Sequence, residues 1–458
     1  MSEVSAGGLS PAGTELVAAF EERAVRQSHS VGLMLVFLRM VISAIGYRPA
    51  ARALSIVAPL LPGGRSPSAN GGQMWVLRMG LFELRRAREV ADDWVWLIDH
   101  TMQAGRGKCF VVFGVRLSCW RAKIAAALAT SPPTSVCLEH ADLSVWMIER
   151  IESSSGAIVQ EQLERLSAAT GIVPCSVLSD QGADVRLGSE LYCEVGERST
   201  VLVHDIAHAV ANALKRQLAS CPEWARFLAE ANACKTQIRQ TACAFLMPPE
   251  LKAKARWMNL ESLVTWSVRV RTFLDHPQEA LTRAQATASL ELVEQKMGWL
   301  RDHSESLKQW ATLLEAASTS LEFIRQHGYH TEVPPALRTQ LSRFVDGPAH
   351  ALVEEVMQFV EVQSARAGEQ RLLGSSEVLE SLLGKGKQMM GRAGNGFTKS
   401  VLGIAAAVTD LSSTTLQTAL ASTTVRDVQN WIRDHIGLSL PAQRQRALSP
   451  TLSGTLPG

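Results

Sequence analysis

The stretch from Trp94 to Asp205 limits the fold more than any other part of this chain. It alternates short runs rich in Val, Ile, Trp and Phe with longer runs whose apolar residues recur at helical spacing. WVWLID (94–99) and KCFVVFGVRL (108–117) read as strands joined by the turn QAGRG, a β-hairpin. SVCLEHA (135–141), CSVLSD (175–180) and STVLVHD (199–205) read as three more strands. GAIVQEQLERLSAATG (156–171) is an amphipathic helix with Ile158, Leu163 and Leu166 on one face and a glycine at its end; IAHAVANALKRQLA (206–219) is a second helix. The order β-β-β-α-β-(short helix)-β-α specifies an α/β fold with a mixed sheet.

The flanks carry no such strand signal. Residues 1–13 read as a loose tail. Residues 14–90 read as a helical domain, interrupted at Gly46, Pro49 and Pro59 and by the connector LPGGRSPSANGG (61–72). Its last helix, QMWVLRMGLFELRRAREV, has Trp75, Leu77, Leu81 and Leu84 as apolar anchors. Short helices, a Gly/Pro/Ser turn and a basic final helix fit a helix-turn-helix. Residues 220–370 read as an all-helical block in which Trp224, Trp257, Trp266, Trp299 and Trp310 serve as core. Helix resumes over 374–390 and again over 396–440, and the Pro/Ser-rich end from 441 to 458 reads as a tail.

Of 458 residues, 46% are hydrophobic and 20% charged, which excludes collagen, coiled coil and wholesale disorder. The apolar run Val31–Leu38 stops at Arg39, short of the roughly 20 residues a bilayer needs. No basic segment followed by an apolar one opens the chain, so the expectation is a cytoplasmic protein with no membrane partner. Eight cysteines without a CxxC pair argue against a zinc knuckle or a disulfide framework and fit a reducing compartment. The net charge is +2, but its distribution is uneven. From Arg23 to Arg88 there are ten arginines and one acid, Glu83, a local excess of nine positive charges over a remainder that nets seven negative. A basic head on a mildly acidic body points to a polyanion partner, with Arg48, Arg52, Arg65 and Arg78 as candidate phosphate contacts.

Asp99 and Asp180 each close an apolar strand, at the edge where open α/β sheets place their ligands. If those strands are neighbours, the two carboxylates lie within several Å and repel, so one is protonated or cations sit between them. Oxygen ligands of this kind favour two Mg²⁺ or Mn²⁺ ions and phosphodiester chemistry. Asp184 is the alternative to Asp180, whereas Asp92 and Asp93 lie at the opposite end of their strand. A third carboxylate comes from the 374–390 helix, which offers Glu380 or, about 60° away around the helix, Glu377. Lys387 follows Glu380 by two turns on the same face. A different chemistry attaches to His204 and His208, whose i, i+4 spacing would suit a zinc-dependent hydrolase if both lay on one helix, with Glu230 as a third ligand. Asp205 stands where a catalytic Glu would be required, and a strand–helix junction capped by Asp205 explains the same residues.

In this order and spacing the chain resembles bacterial insertion-sequence transposases of the DDE type, with a ribonuclease H-like catalytic core. WVWLIDHT resembles their first catalytic block, VLSDQGAD the second, and VLVHDIAHAVANALK the strand-to-helix block that follows. SSEVLESLLGKGK resembles the glutamate helix, often ES-L-F-G-K-Y-K in the family, and GYRPAARAL with WVLRMGLFEL the helix-turn-helix ahead of the core. The resemblance spans roughly residues 35–395. It implies a ribonuclease H-like core (91–219 and 371–395) interrupted by a helical insertion. It also implies Asp99, Asp180 and Glu380 as catalytic metal ligands and Lys385 and Lys387 on the DNA backbone. Double-stranded DNA would be the partner, with at least a homodimer on paired ends. Leu383 and Gly386 depart from the family's Phe and Tyr, and Gly384 and Gly386 each weaken a helix by about 1 kcal/mol relative to Ala. A frayed glutamate helix would leave an inactive, DNA-binding relative.

Overall fold

A computed structural model describes residues 11–23, 27–61, 64–104, 107–130, 138–195, 199–250, 260–389, 398–438 and 440–449. The fold is mixed α/β, mostly helical, with one five-stranded sheet in the order β3-β2-β1-β4-β5. The strands are β1 (Trp94–Ala104), β2 (Gly107–Arg116), β3 (Ser144–Ile151), β4 (Ser176–Ser179) and β5 (Val201–His204). β1 pairs antiparallel with β2 and β2 antiparallel with β3, while β4 runs parallel to β1. The chain divides into two compact units, the first of residues 1–126, 137–202 and 376–458, the second of 127–136 and 203–375. No helix among the described residues is long and apolar enough to cross a membrane.

In the first unit, one face of the sheet is dry. Trp94, Trp96 and Ile98 of β1 pack with Phe110, Val112, Trp146 and Val177 under two helices, α1 (Gly156–Thr170) and α2 (Ala183–Glu194). The two helices lie close because Gly156 and Gly188 leave room: a Cβ on Gly188 would sit 2.6 Å from the Gly156 carbonyl oxygen. α1 begins at Ser155, whose Oγ accepts from the Ile158 amide, and ends at Gly171 in the left-handed region, as the glycine at its end requires.

The third strand differs from expectation. Residues 135–137 of the expected 135–141 strand lie outside the described residues, and His140–Asp142 is a 3₁₀ turn. The strand is Ser144–Ile151 instead, preceded by a helix over Leu117–Leu128. β3 is an edge strand, and its charged residues are put to use. Arg150 donates to the Ile436 carbonyl at 2.8 Å, and Glu149 lies 3.1 Å from His435, so the C-terminal segment covers the exposed edge.

The N-terminal and C-terminal helices of this unit pack around one central helix, Ala69–Arg85, whose Val76, Leu77, Met79 and Leu81 are fully buried. It meets the Val31–Ile42, Leu402–Ala406 and Ser413–Ser422 helices. Of the expected tails, residues 1–10 and 450–458 lie outside the described residues. Pro11–Ala19 and Leu440–Leu448 are helices, the latter with Pro441 at a position where its missing N–H costs nothing.

The second unit is helical throughout its described part from Ile206 to Ala367. Its centre is aromatic: Trp224 and Trp310 meet edge to face at 4.8 Å and Phe227 lies 5.0 Å from Trp310. Trp224 and Trp310 are core as expected, whereas Trp266 and Trp299 are only partly buried, and Trp257 lies outside the described residues.

The tightest helix contact in the first unit yields a prediction. A Cβ on Gly80 would fall 1.9 Å from the Leu402 carbonyl oxygen, and backbone cannot yield as a side chain can. Gly80→Ala is expected to lower stability by about 1–3 kcal/mol, as overpacking does. A reduced urea midpoint with an unchanged m-value is the measurement.

Candidate active site

The site begins with register. Ile98 of β1 pairs with Ser179 of β4, and the next residue on each chain segment is Asp99 and Asp180. Parallel neighbours lie about 4.8 Å apart, which brings the two backbone positions near each other. Asp180 follows the end of β4, but β1 does not close at Asp99 as expected and runs on to Ala104, with Asp99 still paired to Val111. Trp94, Trp96 and Ile98 belong to the face packed under α1 and α2, so alternation directs Asp99 to the other face. Both residues are partly exposed. Asp99 Oδ1 accepts from the His100 amide at 2.6 Å, and Asp180 Oδ1 from the Gly182 amide at 3.1 Å.

Glu377 and Glu380 lie in the same unit, in the first turn of the helix Glu377–Met389, here α3, and both are partly exposed. α3 packs against the Val31–Ile42 and Leu402–Ala406 helices and the His140–Asp142 turn, where His140 Nε2 lies 3.2 Å from Ser381 Oγ. The expected fraying is not found: α3 runs unbroken through Gly384 and Gly386. Gly386 has a packing reason, since its Cβ would meet Ile404 Cγ1 at 2.5 Å. Among the described residues, Asp99, Asp180 and Glu380 do not close into a trio with all ligand atoms within 4.8 Å. Oxygens on opposite sides of two ions about 4 Å apart stand up to about 8 Å from one another, so a two-ion cage is wider than that limit. The donor set, carboxylate oxygen throughout, suits hard divalent cations.

Asp184 has a different occupation. Its carboxylate accepts from Lys108 Nζ at 3.0 Å and lies 3.9 Å from His100 Nδ1. Burial works to raise its pKa, but hydrogen bonds from Ser154, Lys108 and its own amide, with the nearby His100, hold it below the ordinary carboxylate range. Ser154 Oγ in turn meets His100 Nε2 at 3.2 Å, and burial lowers the His100 pKa. This four-residue network was not foreseen. Its members are far apart in sequence, and the hairpin register, the connection from β3 to α1 and the start of α2 bring them together. Asp92 and Asp93 lie at the far end of β1, where Asp93 pairs with Arg116.

The basic candidates divide. Arg48 and Arg52 are exposed one turn apart on the Tyr47–Val57 helix, which buries Ala50 and Leu54, and Arg65 is exposed in the connector. A four-residue turn, 43–46, joins that helix to Val31–Ile42, with Ala44 in the left-handed region. Arg78 is a correction: it is 7% exposed and donates to the Thr423 carbonyl at 2.6 Å and to the Leu420 carbonyl. It caps the C-terminal end of Ser413–Ser422 and is not on the surface. Lys387 is exposed and Lys385 partly so.

In the second unit, His204 and His208 do not share a helix. His204 ends β5, its amide donating to Gln363 Oε1 at 2.9 Å, and the helix Ile206–Ala219 starts two residues later. Asp205, fully buried, is the N-cap: its Oδ2 accepts from the His208 amide at 3.0 Å and lies 2.8 Å from His208 Nδ1. The buried Tyr329 hydroxyl donates to the His204 carbonyl at 3.0 Å and braces the junction. Glu230 is engaged with His303 at 2.7 Å. The i, i+4 zinc geometry is therefore not formed. Asp205 and His208 remain metal-competent side chains held against each other.

No family model and no curated protein matches this chain.

The depressed Asp184 carboxyl fixes the sign of a pH effect. Its folded pKa lies below the unfolded value near 3.9, so the stability it adds is complete above about pH 4 and is lost as pH falls through the folded value. Asp184→Asn is expected to be less stable than wild type at pH 7. The gap in urea midpoints should close as the pH is taken below about 4.

Proposed function

We propose that this protein is a DNA transposase of the DDE type, which cleaves the ends of its element and joins the freed 3′-hydroxyl to target DNA. The observation that carries the reading is the Ile98–Ser179 pairing, from which Asp99 and Asp180 emerge as neighbours. Glu377 and Glu380 belong to the same compact unit. The strand order supports it too. An antiparallel run of three strands, with β4 parallel to the central β1, is how a ribonuclease H-like core is built.

Asp99, Asp180 and Glu380, with Glu377 as the alternative, would hold two Mg²⁺ or Mn²⁺ ions. Such ions, when bound, supply an activated attacking oxygen and a stabilised leaving oxygen. The residues' own part is electrostatic and positional. Asp99 and Asp180 would present acceptor oxygens from adjacent strands, where cations would offset their like charge. Arg48 and Arg52 lie on one exposed helix face in a segment without acids, which suits the phosphates of double-stranded DNA, and Arg65, Lys385 and Lys387 extend the basic surface. Paired-end chemistry needs two active sites, hence a homodimer or larger assembly on DNA, in the bacterial cytoplasm.

The catalytic prediction is direct. Purified protein should nick a duplex bearing the inverted repeat that flanks its gene, with Mg²⁺ or Mn²⁺ and not with EDTA. Asp99→Ala and Asp180→Ala should reduce nicking to background while DNA binding persists. DNA retardation without metal-dependent nicking in the wild type would identify an inactive DNA-binding relative instead. Nicking that survives Asp99→Ala would refute the site. For the basic head, Arg48→Ala with Arg52→Ala should lower the slope of log affinity against log salt by about 2, near one per phosphate contact. Arg78→Met should leave that slope unchanged, because its guanidinium is spent on carbonyls.

A further inference from the structure

Thr101 carries a hydroxyl that the fold leaves unanswered. The residue is 3% exposed, and its Oγ1 has no hydrogen-bond partner among the described residues. A buried hydroxyl in that state costs free energy that a valine of the same shape would not. An ordered water, an ion or a functional role accounts for such a group in a folded protein. The position indicates which partner. Thr101 stands two residues beyond Asp99 on β1, and the period of two puts both on the same face of the sheet. Its cross-strand neighbour is Cys109, a buried thiol whose pKa is pushed up by burial and by the charges of Glu149 and Asp99. A thiol is a weak acceptor and leaves the hydroxyl unserved. Immediately beyond, the β1–β2 ladder shifts register between Thr101 and Gln103. Bulges of this kind are found beside active sites, where they re-aim side chains.

We propose that Thr101 is a positioning residue for the cations of the carboxylate site, its hydroxyl bonding a water that a Mg²⁺ or Mn²⁺ ion brings with it. The proposal rests on the transposase reading. Ionised carboxylates accept hydrogen bonds and donate none, whereas a metal-bound water needs acceptors for its protons and a neighbour that can adjust. Hydrated Mg²⁺ keeps several waters when it binds protein, and outer groups that hold such ligands alter metal affinity by about 10- to 100-fold.

The test is Mn²⁺ binding to the full chain, followed by titration calorimetry and by the Mn²⁺ spin-resonance signal, with melting measured in metal-free buffer. Thr101→Val is expected to weaken Mn²⁺ binding about 10-fold and to melt at or above the wild-type temperature without metal. Thr101→Ser should keep wild-type affinity. Wild-type affinity in Thr101→Val, or a loss in Thr101→Ser equal to that in Thr101→Val, overturns the proposal. A marked drop in metal-free melting for Thr101→Val also overturns it, since the hydroxyl would then be satisfied within the fold. Should Thr101→Val not fold, Thr101→Ala against Thr101→Ser reads the same difference. A wild type that binds no Mn²⁺, or binds it unchanged by Asp99→Asn, overturns the carboxylate site itself and Thr101's role with it. That result is distinct from a site that binds metal without needing Thr101.

Discussion

The β1–β4 ladder is a constraint that backbone alone imposes. It fixes four successive pairs from Val95–Ser176 to Ile98–Ser179, and so the neighbouring backbone positions of Asp99 and Asp180 one residue on. That ladder is anchored by the apolar layer beneath it, where Trp96 and Val177 pack under α1 and α2 with no exposure. The core thereby fixes the backbone that carries Asp99 and Asp180.

The basic head obeys a second constraint, that a buried arginine must find carbonyls. Seven arginines precede Glu83 from Arg23 onward without an intervening acid, so carboxylate partners are not at hand locally. Arg78 solves this by reaching the unsatisfied carbonyls at the end of a helix some 340 residues away in sequence. Arg88 turns to Glu83 at 2.6 Å and to the Val145 carbonyl at 2.7 Å. These contacts tie the N-terminal and C-terminal helices and β3 into one unit. Arg48, Arg52 and Arg65 are exposed, as are Arg23, Arg39, Arg85 and Arg86. A charge count over the segment does not separate the structural arginines from the surface ones; burial does.

Much of the sheet was legible because its central strands are buried on at least one face and read as apolar runs. WVWLID and CSVLSD fall on β1 and β4, and the helices over 156–170 and 206–219 begin and end at caps visible in the sequence, Ser155 with Gly171 and Asp205. β3 was missed for a different reason. Its apolar run Val145–Ile148 is followed by the charged Glu149 and Arg150, which the edge strand spends on the C-terminal segment, just as Val136–Leu138 is followed by Glu139 and His140, so the two stretches look alike in sequence. Arg78 was misassigned because sequence carries no signal for which face of a helix will be covered by an element hundreds of residues later. The His100–Lys108–Asp184–Ser154 network and the orphaned Thr101 hydroxyl were illegible for the same reason: each depends on register, and register is a long-range property.

The glycines of α3 show how a local penalty can serve a long-range fit. Taken alone, Gly384 and Gly386 argue for a weak helix. Gly386, however, is the point at which α3 approaches the Leu402–Ala406 helix, and any side chain there would strike Ile404. The same short helix approaches Gly80 through the Leu402 carbonyl. Leu402–Ala406, with Leu402, Ile404 and Ala405 fully buried, is therefore pinned between two glycines on two different helices. Helix α3 is held by that contact and by its own buried face of Val378, Leu379, Leu382 and Leu383, so its continuity does not rest on intrinsic propensity. Leu383 is part of that buried face, and the orientation of Glu377 and Glu380 in the first turn is set by packing.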